Sequence, residues 1–332
     1  MFGVMEDYPR SLLEFQERFG TDEACYEYLT ELRWPYGFVC SKCGHTIAWR
    51  TSRQLYVCGR CRVQTSVTAG TIFHRTRKPL RLWFYAMWEI TSQKYGANAI
   101  GIQRVPGLGS YQTAWEWLHR LRRAMVRPGR GKLSGTIEID ETYIGGERPG
   151  KRGRGAENKA LVMIAVEDKG RPPGEGFGRI RLRRVNDASS ASLTPFVQDN
   201  VVPGSTVRTD GWSGYNHLAN HDYDHIKIRA SGKVGHEELP LVHRIASLVK
   251  RWLLSTYQGA VQPSHLDYYL DEYTFRFNRR TSTSRGKLFY RLVQQAAMLD
   301  PVHGDDLTAD QDQFVEPLPG YDNNDSYDDI EF

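Results

Sequence analysis

The chain lacks several features, and each absence removes a class of function. No apolar run approaches the ~18 residues that span a bilayer, so no membrane helix is expected. The opening MFGVMEDYPRSLLEF shows no basic stretch leading into an apolar one. It therefore does not read as a signal peptide, and a cytoplasmic location is expected. Cysteines number only five in 332 residues, and in that compartment they are expected to be thiols rather than disulfides. No GxxxxGK[ST] phosphate loop occurs, which argues against an NTPase. The nearest approach to a hydrolase elbow is GWSGY, where Tyr215 occupies the position that G-x-S-x-G reserves for glycine. No internal repeat is visible at the ~20–50-residue periods of solenoids.

Basic residues are missing from one end. From Asp300 onward there are eleven acids and no Lys or Arg, which leaves 44 basic against 28 acidic residues in the first 299, a net charge of +16. A basic body of that size implies a polyanionic partner, nucleic acid before membrane because no basic amphipathic helix stands out. The acidic stretch 300–332 has no apolar pattern and reads as a solvated, disordered tail. The rest separates into a helical segment over 1–33, a cysteine-bearing segment over 34–75, a helical segment over 76–130 and an α/β segment over 131–299.

Four of the five cysteines form two matched pairs, Cys40/Cys43 and Cys58/Cys61, fourteen residues apart. Each pair lies in a tight knuckle (CSKCGH, CGRCR), and four thiolates so spaced suit tetrahedral zinc in a zinc ribbon. Four protein ligands leave no open coordination position, so the zinc is expected to be structural. Cys25 reads as a small core residue, and His45 as a bystander to the cysteines.

Between residues 80 and 125 the pattern predicts three helices, over 80–94, just before Val105, and from Tyr111 to Met125. A break at Pro106–Gly109 precedes a Ser110 N-cap. The last helix would turn Ala114, Trp117, Leu118 and Leu121 inward and Gln112, Thr113, Glu116, Arg120 and Arg123 outward. That is the layout of a helix-turn-helix, and equally of a plain helical packing unit with a charged face.

In TIEIDETYIGG, Ile137 and Ile139 alternate with Glu138 and Asp140, as in a strand. The nearly continuous apolar run ALVMIAVED reads as a central buried strand. GRIRLRRV, a helix near 192–201 and a strand ending at Asp210 follow. Three sequential strands, a helix and a further strand fit an RNase-H-like core, in which Asp140 and Asp210 fall on neighbouring strands. Two carboxylates so placed repel unless a divalent cation sits between them. Asp210 precedes Gly211, so it also reads as an ordinary Asp-Gly turn. In LVHRIASLVKRWLL, Ile245, Leu248, Val249 and Trp252 make one apolar stripe. His243 and Lys250 lie two turns apart on another face, ~10 Å along the axis.

These blocks in this order resemble the bacterial insertion-sequence transposases that join an N-terminal zinc ribbon to a DDE-type core, of the ISXO-like branch. The resemblance rests on the cysteine pairs and on GTIFHRTRKPLRLWF, TAWEWLHRLRRAM, IEIDETYIGG, TDGWSGY and LDYYLDEYTFRFNRR. It implies Asp140 and Asp210 as catalytic acids, His243 at the third metal-binding position and Lys250 as the phosphate-contacting lysine that follows. An acid or amide usually fills the third position, and Glu237 and Glu238 are nearby alternatives to His243. An imidazole there implies a preference for manganese over magnesium and a loss of activity as it protonates. The resemblance further implies metal-dependent hydrolysis and strand transfer on terminal inverted repeats and target DNA. A homodimer or larger assembly on DNA is expected, with association to the nucleoid and no nucleotide cofactor. Lys151, Arg152 and Arg154, in the loop 145–155, are candidates for tracking phosphates, with a merely flexible loop as the alternative.

Overall fold

In the computed structural model, which describes residues 6–127, 129–145, 159–170, 176–228, 239–259, 261–302 and 304–308, the first helices start where the sequence offers hydroxyl caps. Ser11 accepts the Glu14 amide at 3.2 Å and opens α1 (Leu12–Arg18). Thr21 accepts the Ala24 amide at 3.3 Å and opens α2 (Asp22–Arg33). Three short antiparallel strands follow, β1 (Ala48–Arg50), β2 (Leu55–Cys58) and β3 (Gln64–Ser66), in the order β1-β2-β3. Then come α3 (Leu80–Ser92), α4 (Ala99–Arg104) and α5 (Tyr111–Ala124). Asn98 caps α4 through the Gly101 amide at 2.8 Å, and Ser110 caps α5 through the Thr113 amide at 3.5 Å. The helices expected from the sequence and the expected Ser110 cap are therefore present, with ends moved by a residue or two, and Ser11, Thr21 and Asn98 add caps beyond the expected one.

The second compact unit, within Val126–Arg280, holds β4 (Thr136–Ile144), β5 (Ala160–Asp168), β6 (Phe177–Val185), α6 (Ser190–Asn200), β7 (Thr206–Asp210), β8 (Asp224–Ile228), α7 (Pro240–Tyr257) and α8 (Leu266–Phe277). Its sheet runs β6-β5-β4-β7-β8. β4, β5 and β6 are mutually antiparallel, whereas β7 joins β4 and β8 joins β7 in parallel. That mixed order is the RNase-H-like arrangement. The continuous apolar run of β5 is explained by burial on both faces. Val162, Ile164 and Val166 face a cluster with Ile245, Val249 and Trp252 of α7. Met163 and Ala165 face the opposite cluster with Phe196 and Val197 of α6. Each such aliphatic side chain removed from water contributes about 1.5–3 kcal/mol, which fixes α7 on one face and α6 on the other.

One boundary differs from the sequence reading. The α/β segment was expected to run to 299, but the second unit ends at Arg280, and Thr281–Ala309 belong with Met1–Met125. Helix α9 (Arg285–Met298) places Phe289 among Phe15, Phe84 and Trp88, at ring distances of 5.4, 5.7 and 5.9 Å. At Gly286 a Cβ would lie 1.6 Å from the Pro9 carbonyl oxygen, so only glycine lets α9 sit this close. Nothing local marks this return, because the aromatic partners stand some 200 residues upstream. The 34–75 segment and the 76–130 segment as far as Met125 likewise fall within one unit with the N-terminal helices. The acidic tail beyond residue 308 lies outside the described residues.

Candidate active site

Two parallel strands set the positions of the acids. In the β4–β7 ladder Thr136 pairs with Thr206, Ile137 with Val207 and Glu138 with Arg208, where the ladder ends. Asp140 and Asp210 each lie two residues beyond the last paired position of this ladder, and both carboxylates are close enough to Tyr215 to add to burial and Glu141 in raising its pKa. Each carboxylate has one oxygen committed to its own chain: Asp140 Oδ1 accepts the Glu141 amide at 2.9 Å, and Asp210 Oδ1 accepts the Trp212 amide at 3.0 Å. The second bond is an Asx turn. The turn and metal readings of Asp210 are thus compatible, since the turn engages only one oxygen.

His243 reaches this strand from α7. Its Nδ1 stands 4.0 Å from Asp140 Oδ2, with the two side chains 33% and 16% exposed. Beside them, Glu138 is 2% exposed, and its Oε2 accepts the amides of Leu241 at 2.9 Å and Val242 at 3.1 Å. Burial pushes the Glu138 carboxyl above its usual range, against the pull of those two amides. Further along α7, Lys250 is exposed, and partial burial of its amine together with nearby Lys159 pulls its pKa down. Glu237 and Glu238, the alternatives to His243, lie outside the described residues.

The segment after β7 closes the floor of the site. Tyr215, fully buried, donates its hydroxyl to Glu141 Oε2 at 2.7 Å. Burial and then the Glu141 charge raise the Tyr215 pKa far above its ordinary value, so the ring remains a neutral donor. Trp212 donates Nε1–H to the Ala188 carbonyl at 2.7 Å. The expected tight turn at Gly211 does not need that glycine, which has no positive φ and nothing within 4 Å of a built Cβ. Gly214 is the constrained one, because a Cβ there would meet the Ala188 carbonyl at 2.6 Å. Glu138, Glu141 and Tyr215 escaped the sequence reading as site residues. Only the two-residue spacing of Glu138 from Asp140 hinted at a shared face.

The second candidate centre forms locally. Cys40, Cys43, Cys58 and Cys61 bring their four Sγ atoms within 4.8 Å of one another, with Cys40–Cys61 and Cys43–Cys58 each at 3.6 Å. The amide of Cys61, and that of Arg60, stabilise the Cys58 thiolate and lower its pKa to about 6. Four thiols so placed fit a structural zinc ion. Among the described residues this is the one group of three or more ligating side chains drawn so close; Asp140, Asp210 and His243 do not form another.

Residues 132–278 match the ISXO2-like transposase domain, and residues 20–64 match the transposase zinc-ribbon domain. The chain belongs to the ISXO2-like transposases. An uncharacterized protein in transposable element ISH50 of Halobacterium salinarum is 26% identical over 303 residues, covering 84% of this chain and 98% of that protein. An uncharacterized transposase-like protein of Haemophilus influenzae is 28% identical over 112 residues, 33% of this chain and 89% of that one. Among solved structures, a simian T-cell lymphotropic virus intasome in complex with the PP2A regulatory subunit B56 gamma aligns at 13% identity, over 57% of this chain and 65% of that chain. Its TM-score of 0.30 is too low to bear on the fold.

In this transposase the outer face of α5 is more engaged than its sequence pattern implies. Ala114, Trp117, Leu118 and Leu121 are buried as expected, and so are His119 and Arg122. Gln112 is exposed, whereas Thr113, Arg120 and Arg123 are half-buried. Gln112 donates to Glu116 at 3.3 Å and Arg120 pairs with Glu116 at 3.7 Å, which makes a polar ladder along the outer face. Lys151, Arg152 and Arg154 lie outside the described residues. No described helix is long and apolar enough to cross a membrane.

Proposed function

We propose that this chain is an active DNA transposase: it binds the terminal repeats of its element, hydrolyses a phosphodiester there and transfers the strand to target DNA. One observation supports the catalytic part: His243 approaches Asp140 from α7, and Asp140 and Asp210 sit just past the paired stretch of the parallel strands β4 and β7. Two carboxylates and an imidazole are a donor set for Mn2+ or Mg2+. When bound there, a divalent ion supplies a nucleophile at neutral pH and charge stabilisation for attacking and leaving oxygens. The protein's own contribution is positional: Asp140, Asp210 and His243 hold the ion, and Lys250 offers an ammonium to a phosphate. Tyr215 keeps Glu141 oriented beside Asp140. The ribbon, held by structural zinc, and the outer face of α5, with the exposed Gln112 and the half-buried Thr113, Arg120 and Arg123, bind the repeats, and Lys151, Arg152 and Arg154 track phosphates. Pairing two element ends requires a dimer or larger assembly on DNA.

The test is strand cleavage of labelled DNA carrying the native flanks, wild type beside Asp210→Asn, with each metal. Discrete 3′-hydroxyl ends from the wild type alone are expected. Binding of the flanks without cleavage under either metal would replace this reading with that of a non-catalytic DNA-binding regulator. The imidazole ligand adds a finer expectation: faster cleavage with Mn2+ than with Mg2+, and a rate that falls as acid protonates His243. Equal rates with both metals and a flat profile through weak acid would remove His243 from the ligand set.

A further inference from the structure

Helix α7 begins badly by its own sequence. Its N-cap residue is Leu239, which has no side-chain acceptor, and Pro240 in the first turn brings no N–H. The His243 amide is met within the helix by the Leu239 carbonyl at 3.2 Å. The Leu241 and Val242 amides need a partner from elsewhere, because the first turn of any helix leaves its donors unmet. That partner is Glu138 Oε2, supplied across about a hundred residues from the middle of the sheet. An anion at this end also complements the helix dipole. Glu138 and Asp140 stand two residues apart on β4, so their side chains leave the strand on the same face. His243 follows directly after the two capped residues and approaches Asp140.

We propose that Glu138 is a positioning residue: by clamping the first turn of α7 to β4 it sets where His243 stands against Asp140, without touching metal or DNA itself. This rests on the acid-site reading above. An ordinary cap would only stabilise α7. This one starts on the strand that carries the first acid and ends one residue short of the third ligand, so a single side chain fixes the spacing between two ligands. Partners that orient metal ligands typically alter metal affinity by about 10–100-fold when removed.

The probe is Mn2+ alone, titrated into the full-length zinc-loaded protein and followed by the electron-spin resonance of free Mn2+. Glu138→Leu is expected to weaken binding about tenfold and His243→Ala at least as much. The double variant should be no weaker than His243→Ala within about twofold, because the cap acts through that side chain. Glu138→Gln, which keeps an acceptor of the same reach, should bind nearly as wild type. Amide exchange at Leu241 and Val242 should quicken in Glu138→Leu without metal. Should Glu138→Leu fail to fold, Glu138→Asp, too short to span both amides, carries the same expectations. Wild-type affinity in these variants, or losses that add in the double variant, would overturn the proposal. Asp140→Asn separates the two levels: if it binds Mn2+ like wild type, the acid-site reading itself is wrong. If it is defective while the Glu138 variants are not, only the cap proposal falls.

Discussion

The two centres of this transposase are built in opposite ways. The thiol cluster is assembled from two knuckles twenty-two residues apart end to end, each shaped by its own backbone amides. The proposed acid site draws Asp140, Asp210 and His243 from β4, β7 and α7 over a span of more than a hundred residues, and would depend on strand pairing and a helix cap. A local centre needs only local chain to form; a distributed one inherits every error of the core beneath it.

The sharpest way to break that comparison is to remove one thiol. Cys58→Ser is expected to abolish zinc stoichiometry, since structural zinc carries roughly 10 kcal/mol of folding energy. Binding to element ends should fall by about two orders of magnitude, while amide exchange in β4, β5 and β7 stays slow. Loss of protection in those strands would show that the centres are not independent. An intermediate effect is expected at Tyr215→Phe, which deletes the donor to Glu141. A hydrogen bond to a charged group contributes about 1.5–3 kcal/mol, so chemical denaturation should show a loss of that order, with slower cleavage and unchanged binding to ends. Unaltered cleavage would demote the Tyr215–Glu141 pair to plain packing.

The smallest effect concerns the buttress behind Asp210. Thr209, fully buried, donates its hydroxyl to the Asp210 carbonyl at 2.8 Å and lies 2.9 Å from His225 Nε2. Burial, and then Lys227, lower the His225 pKa below 6.5. The neutral ring is therefore favoured on folding. Its contribution to stability is complete above pH ~6.5 and is lost as pH falls through the lowered value. His225→Asn should flatten the dependence of the thermal midpoint on pH below 6.5 and leave the midpoint near pH 8 little changed. A wild-type slope in the variant would assign that acid sensitivity elsewhere.

Much of the fold was legible because its signals are short-range. Ser110 marks a helix start within three residues, and the apolar run of β5 announces a strand covered on both faces. The thiol cluster was legible for the same reason. The candidate acids were found by strand pattern and by resemblance, but their neighbours were not. Glu138 reads as the polar half of an alternating strand, and only burial against α7 turns it into a cap. Gly211 drew attention through its Asp-Gly pair, yet Gly214 is the glycine crowded by Ala188. Phe289 reads as one apolar position in a late helix, and nothing near it names the aromatic cluster it joins.

The sequence by itself determined which segments become helices and strands, where the four clustered thiols lie and which family the chain resembles, since caps, periodicity and knuckles act over a few residues. Tertiary structure alone decided the parallel pairing of β4 with β7, the clamp of Glu138 on α7 and the return of α9 to the N-terminal unit. Each of these joins groups far apart in the chain, where the choice of partner is set by how whole elements pack.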